Sequence, residues 1–82
     1  MVKAVFEPSF EKAFSKMRDN ALKERIIKHF EKIRDNPKIG KPMRYGRKGT
    51  REVYIPPFRL SYMYIQSEEK IVFLGLYHKD EQ

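Results

Sequence analysis

The chain opens with a short stretch in which apolar and polar side chains alternate. Val2, Ala4 and Phe6 fall on one side of an extended backbone and Lys3 and Val5 on the other, which predicts a strand over 2–6. Pro8 ends that strand and suits the first turn of a helix. From Ser9 the period lengthens. Phe10, Ala13, Phe14 and Met17 recur at i, i+3, i+4 and i+7, the apolar stripe of an amphipathic helix. Asp19-Asn20 offers a break and an N-cap. A second stripe, Leu22, Ile26, Phe30 and Ile33 with Ile27 beside it, runs on to Asn36-Pro37. Proline removes a donor there and disfavours helical geometry in the residue before it. Two helices with a tight turn between them make a helical hairpin.

Beyond the stretch from Gly40 to Gly49 the period returns to two. Arg51, Val53 and Ile55 share one side of a strand, and Pro56-Pro57 makes a turn. Phe58, Leu60, Tyr62 and Tyr64 then alternate with Arg59, Ser61, Met63 and Ile65, a strand with content on both faces. Gln66 to Lys70 reads as a polar hairpin loop, and Ile71 to Tyr77 is apolar enough to be a central, buried strand. The predicted order is β-α-α-β-β-β in an α+β fold. The helical hairpin packs on one face of a small antiparallel sheet and leaves the other face open.

Length and composition narrow the possibilities. At 82 residues the chain is expected to form a single domain spanning 1–82. It carries 40% hydrophobic and 13% aromatic residues, enough for a packed core despite 35% charge. With no cysteine, neither a disulfide framework nor a thiolate-bound metal is available. The longest apolar run, from Ile71 to Tyr77, is far short of the roughly 20 residues that cross a bilayer, and the amino-terminal stretch soon becomes charged. The expectation is a soluble cytoplasmic domain with no membrane partner.

The net charge of +7 is concentrated in the middle of the chain. Residues 38–59 hold Lys38, Lys41, Arg44, Arg47, Lys48, Arg51 and Arg59 against Glu52 alone. A local positive field of that kind attracts polyanions, nucleic acid above all. The plainer alternative is a solvated surface loop, or the taste for charge of a thermophilic source. The low count of Asn and Gln fits that source too.

Candidate chemistry is sparse. His29 and His78 are the only histidines, and no His/Asp/Glu spacing resembles a metal site, so neither metal nor cofactor is expected. His29, among charged neighbours, reads as a surface residue. The serines lack a nucleophile-elbow context, and Gly40 to Gly49 has the wrong glycine spacing for a phosphate loop. What survives is a basic group. Arg51 and Arg59 lie on strands joined by Pro56-Pro57, and Arg59 points to the open face if Leu60 and Tyr62 face the helices. Tyr77, His78 and Lys79 add a phenol, an imidazole and a cation at the rim of the sheet. Arginine can hold a phosphate bidentately and stabilise charge on pentavalent phosphorus. Histidine suits proton transfer near neutrality, and tyrosine can stack on a base or donate a proton. These are the parts needed for an RNA 2′-hydroxyl to attack its own 3′-phosphate without a metal. The alternative is that Arg59 pairs with Glu52 or Glu69 and that His78 is a terminal residue with no role.

Three segments carry a resemblance to the RelE/ParE toxin superfamily. The stretch from Gly40 to Ile55 is similar to the segment leading into the sheet of those toxins. Phe58-Arg59-Leu60-Ser61-Tyr62 resembles the strand of YRLxY pattern, and Phe73 to Glu81 resembles the last strand with its His-Arg/Lys exit. With the helical hairpin the likeness covers almost the whole chain, and it is nearest to short archaeal RelE-type toxins. The resemblance implies a toxin of a type II toxin–antitoxin system, an endoribonuclease that cuts mRNA in the ribosomal A site. It also implies a cognate antitoxin whose helices and strand wrap the toxin. By position, Arg59 would contact the scissile phosphate, Lys79 would fill the late basic position, and His78 or Tyr77 would be the acid or base. Arg47, Lys48 and Arg51, with Lys41 and Arg44 in the same basic segment, would grip RNA backbone. Well-known members carry two lysines where this chain has Glu52 and Tyr54, so Glu52 becomes a further candidate base. Members of the ParE branch poison DNA gyrase without cutting RNA, and an inactive RNA-binding relative is the third alternative.

Overall fold

The computed structural model describes residues 2–42 and 49–78. Strand β1 (Lys3–Phe6) leads into helices α1 (Pro8–Ser15) and α2 (Asn20–Asp35). A two-residue strand β2 (Lys41–Pro42) follows, then β3 (Thr50–Ile55), β4 (Phe58–Ile65) and β5 (Lys70–His78). Local chemistry sets the helix ends as the sequence predicts. Pro8 occupies the first turn of α1, and the Asp19 side chain caps α2 by accepting the Leu22 N–H at 3.1 Å. The apolar stripes of both helices meet the sheet. Phe10, Leu22, Ile26 and Ile33 are buried against Ile55, Leu60, Tyr62, Ile71, Phe73 and Leu76. No helix among the described residues is long and apolar enough to cross a membrane.

The sheet order is β1-β5-β4-β3-β2. β2 to β5 are antiparallel, but β1 runs parallel to β5, so the sheet is mixed rather than wholly antiparallel. The reason lies in connectivity. Tight turns force β3, β4 and β5 to alternate in direction, whereas β1 reaches the edge through two helices and is free to align with β5. β2 adds a strand to the predicted order. It is too short to show a period, and its proline is tolerated because an edge strand has no neighbour on its outer side.

One irregularity governs the functional face. Ser61 pairs with Gly75 but Tyr62 pairs with Phe73, so Leu74 is an extra residue, a β-bulge. Its carbonyl accepts the Ser9 hydroxyl at 2.7 Å, which ties the start of α1 to the bulge. Before the bulge Phe73 faces the helices; after it Leu76 does, and the phase of Gly75, Tyr77 and His78 is inverted relative to simple alternation.

A second device holds the chain between α2 and β2. The buried Tyr62 hydroxyl accepts the Gly40 N–H at 2.9 Å and donates to the Pro37 carbonyl at 2.8 Å. Gly40 is required there, since an added Cβ would lie 2.7 Å from Tyr62 Oη. Burial pushes the Tyr62 phenol above its ordinary value, against the lowering effects of the Gly40 hydrogen bond and the Arg51 charge. The unfolded phenol therefore loses its proton first as pH rises past about 10, so stability held below that pH drains away above it. Tyr62→Phe orphans two backbone groups and is expected to cost about 1–3 kcal/mol. Urea titration should show a lower midpoint at unchanged slope, with a smaller alkaline loss than in the wild type.

Candidate functional site on the open sheet face

Cross-strand register places side chains in rows on the face away from the helices. Lys41, Glu52, Ser61 and Gly75 form one row, and Tyr54, Arg59 and Tyr77 the next. At the centre is Glu52. One carboxylate oxygen accepts Arg59 Nη1 at 2.6 Å and the other accepts the Tyr77 hydroxyl at 2.5 Å. The Arg59 guanidinium also lies 5.9 Å from the centroid of the Tyr54 ring. Arg59 Nε is buried without a hydrogen-bond partner among the described residues. The floor beside this group carries almost no side chain. A Cβ at Gly75 would meet only Ser61 Oγ, at 3.6 Å, so the fold does not demand glycine there and the missing side chain leaves room.

The sequence-predicted residues divide clearly. Glu52, Arg59 and Tyr77 come together, and Lys41 is placed on the same face beside Glu52. Arg59 does face away from Leu60 and Tyr62, both fully buried among the helices. It also makes the ion pair with Glu52 that was its alternative reading, so the pair and the site are one arrangement. His78 is not brought to the group. It pairs with Phe58 in register and its ring packs edge-on to Phe58 at 5.6 Å, lining a cleft with Ala13 of α1 and with Lys16 and Met17 just beyond that helix. Arg51 also points the other way. Its Nη1 donates to the Gly40 carbonyl at 2.7 Å and the Lys38 carbonyl at 3.1 Å, reinforcing the Tyr62 clamp. Lys79, Arg44, Arg47 and Lys48 lie outside the described residues. His29, read as a surface residue, is half-buried, with Nδ1 2.8 Å from the Arg25 carbonyl.

Two residues of this face escaped sequence reasoning. Tyr54 is 50% exposed beside Arg59, and its register opposite Arg59 was there to be read from the Pro56-Pro57 turn. Gly75 interrupts an apolar strand, a signal for close approach of another molecule that composition alone does not separate from a bulge. Chemically the group offers a carboxylate in contact with both a guanidinium and a phenol over an open floor, next to a lysine. This suits an anionic phosphodiester flanked by hydroxyl groups that must lose and gain protons.

The family model for the ParE toxin of the type II toxin–antitoxin system, parDE, matches residues 4–82. No curated protein matches the chain in sequence. Among solved structures, the chain is similar to one from the intact Escherichia coli RelBE toxin–antitoxin complex, with TM-score 0.82 and 15% identity over 95% of this chain and 96% of that one. It is similar to a chain of the RelBE2 complex from Mycobacterium tuberculosis, with TM-score 0.82 and 20% identity over 95% and 98%. The archaeal RelE–RelB complex from Pyrococcus horikoshii OT3 gives TM-score 0.78 and 13% identity over 99% and 98%. At these identities the likeness is one of fold.

Proposed function

The chain belongs to the ParE toxin family of type II toxin–antitoxin systems, and from that premise we propose that it is a metal-independent endoribonuclease that cleaves mRNA in the ribosomal A site and so stops translation. The observation that carries this reading is the contact of Glu52 with both Arg59 and Tyr77 on the open face. In the proposed reaction the RNA 2′-oxygen bonds to the adjacent phosphorus and the bond from phosphorus to the 5′-oxygen breaks. Arg59 holds the phosphate and meets the charge that grows on its oxygens. Glu52 takes the 2′ proton. The Tyr77 hydroxyl gives its proton to the departing 5′-oxygen and recovers one from Glu52, leaving a 2′,3′-cyclic phosphate and a 5′-hydroxyl. Tyr77 takes this role ahead of His78 because it touches Glu52, whereas His78 packs on the helix side. Lys41 and the basic segment with Arg44, Arg47 and Lys48 hold RNA backbone, and Arg51 braces the chain before Lys41 through the Lys38 and Gly40 carbonyls. A cognate antitoxin is the proposed protein partner, as RelB is in the complexes of similar fold.

Primer extension on a reporter mRNA in a translation extract tests the reading. New 5′ ends in phase with codons are expected with the protein, and none on naked RNA in EDTA. An intact message, from protein that still arrests cell growth, would sink the nuclease. The family description favours one rival, a gyrase inhibitor of ParE type. Loss of supercoiling by purified gyrase, without new RNA ends, would establish it instead.

Gly75→Val separates the seat from the fold. The added Cβ makes only an ordinary contact with Ser61, and valine is the better strand former. Thermal stability is expected to hold or rise, while the branched side chain lifts RNA off the floor and cleavage falls by roughly tenfold to 10²-fold. Cleavage at the wild-type rate would show that RNA does not lie there.

A further inference from the structure

Beside the Glu52 group, the sheet meets α2 at a cleft of about 370 Å³, within the range of roughly 300–1,000 Å³ typical of small-ligand sites. It runs along β3 past the point where β2 stops. β2 pairs only with Arg51 and Glu52, so the outer edge of Val53 to Ile55 has no strand beside it among the described residues. Apolar walls come from Val53, Tyr54 and Ile39, and basic groups line it at Lys32 and Lys41, with the His29 imidazole among them. Four large apolar side chains are left exposed among the described residues, and two of them, Ile39 at 52% and Tyr54 at 50%, face this cleft. Among the described residues the only carboxylate lining it is Glu52, already held by Arg59 and Tyr77.

We propose that this cleft takes one unpaired base of the RNA strand, stacked on Tyr54, adjacent to the phosphate held by Arg59. The inference rests on the nuclease reading and extends it to a nucleotide subsite. Continuity is the main argument. Tyr54 borders both the cleft and the Arg59 guanidinium, and Glu52 lines the cleft while holding Arg59. A strand that places a phosphate at Arg59 therefore has its neighbouring base within reach of the Tyr54 ring. An aromatic wall with lysines at the rim is the arrangement by which single strands are held, base on ring and phosphate on cation. A peptide strand added to β3 is disfavoured by length. The free edge spans Val53 to Ile55 before the Pro56-Pro57 turn, shorter than the usual five or six residues of a strand.

The test is binding of a fluorescein-labelled single-stranded RNA hexamer, fully 2′-O-methylated so that it cannot be cut, with an abasic position moved along it. Tyr54→Phe is expected to bind as the wild type does, and Tyr54→Leu roughly tenfold to 10²-fold more weakly. One abasic position should weaken the wild type by a similar factor and Tyr54→Leu hardly at all. Lys32→Ala should reduce the slope of log affinity against log salt by about one. Tyr54 is half exposed, so these variants keep the fold, and a thermal melt checks it. If Tyr54→Leu binds within twofold of the wild type while Arg59→Ala weakens binding, the cleft is not an RNA site and the nuclease reading stands. If Tyr54→Leu instead loses only the cognate antitoxin, the cleft belongs to a protein and the proposal falls. Absence of RNA binding by the wild type, together with an intact message in the translation extract, overturns both readings.

Discussion

Arg59→Ala is expected to lower mRNA cleavage by roughly 10²–10³ and to abolish growth arrest, with the fold intact. The size follows from what the side chain does at the proposed site. It is the guanidinium in the Glu52 group, held on the open face by the Glu52 carboxylate at 2.6 Å and set beside the Tyr54 ring. Removing a preorganised donor from the charge of a transition state costs rate and not binding alone. The fold should be spared because the side chain lies on the sheet surface at 36% exposure, where an ion pair contributes about 0–1 kcal/mol. Arg59→Lys discriminates further. It keeps the charge but loses the planar fork, so cleavage should fall between wild type and Arg59→Ala. The check is the rate of appearance of new 5′ ends beside a thermal melt of each variant. Cleavage by Arg59→Ala at the wild-type rate would remove Arg59 from the chemistry, and the Glu52 group would then be a surface ion pair alone.

Much of the scaffold could be read from periodicity because one physical rule dominates it. Phe10, Leu22, Ile26 and Ile33 recur at helical spacing and Leu60 and Tyr62 at strand spacing, and burial of those stripes leaves few ways to pack. The same rule fixed Arg59 on the open face once its neighbours were assigned to the core. It failed where pairing, not polarity, decides. The direction of β1 depends on its partner β5, which lies 67 residues away in register at Lys3 and Lys70. Likewise, Gly75 marks an irregularity in the apolar run without giving its phase, yet the bulge at Leu74 decides that Tyr77 and not His78 shares a face with Arg59. A reading by strict alternation from Phe73 would exchange the two. Arg51 misleads for a related reason. Its charge suggests a ligand, but the backbone carbonyls of Lys38 and Gly40 already occupy it.

Phe73→Ala is expected to cost about 3–5 kcal/mol, and for a domain of this size that approaches the whole of its stability, on the order of 4–12 kcal/mol. Phe73 is 1% exposed and stands where α1, α2 and the sheet converge. Its ring lies 5.0 Å from Phe6, 4.7 Å from Phe30, 5.9 Å from Phe10 and 6.2 Å from Tyr62, so its loss opens a cavity bordered by four rings. Those neighbours come from β1, both helices and β4, and they cannot all move inward at once. Position in the chain adds a second consequence. Phe73 is the last paired residue before the Leu74 bulge, and its packing fixes the phase from which Gly75 and Tyr77 reach the open face. Partial unfolding there should therefore release the Tyr77–Glu52 contact before the rest of the sheet melts. Urea titration should give a much lower midpoint. Ile27→Ala, at a residue 45% exposed, serves as a control and should stay within about 0.5 kcal/mol of the wild type. Amide exchange resolved along β5 checks the coupling. Faster exchange at residues 75–78 than at β3 in the Phe73 variant is the expected pattern, and uniform exchange across the sheet would show that the bulge has no stability of its own.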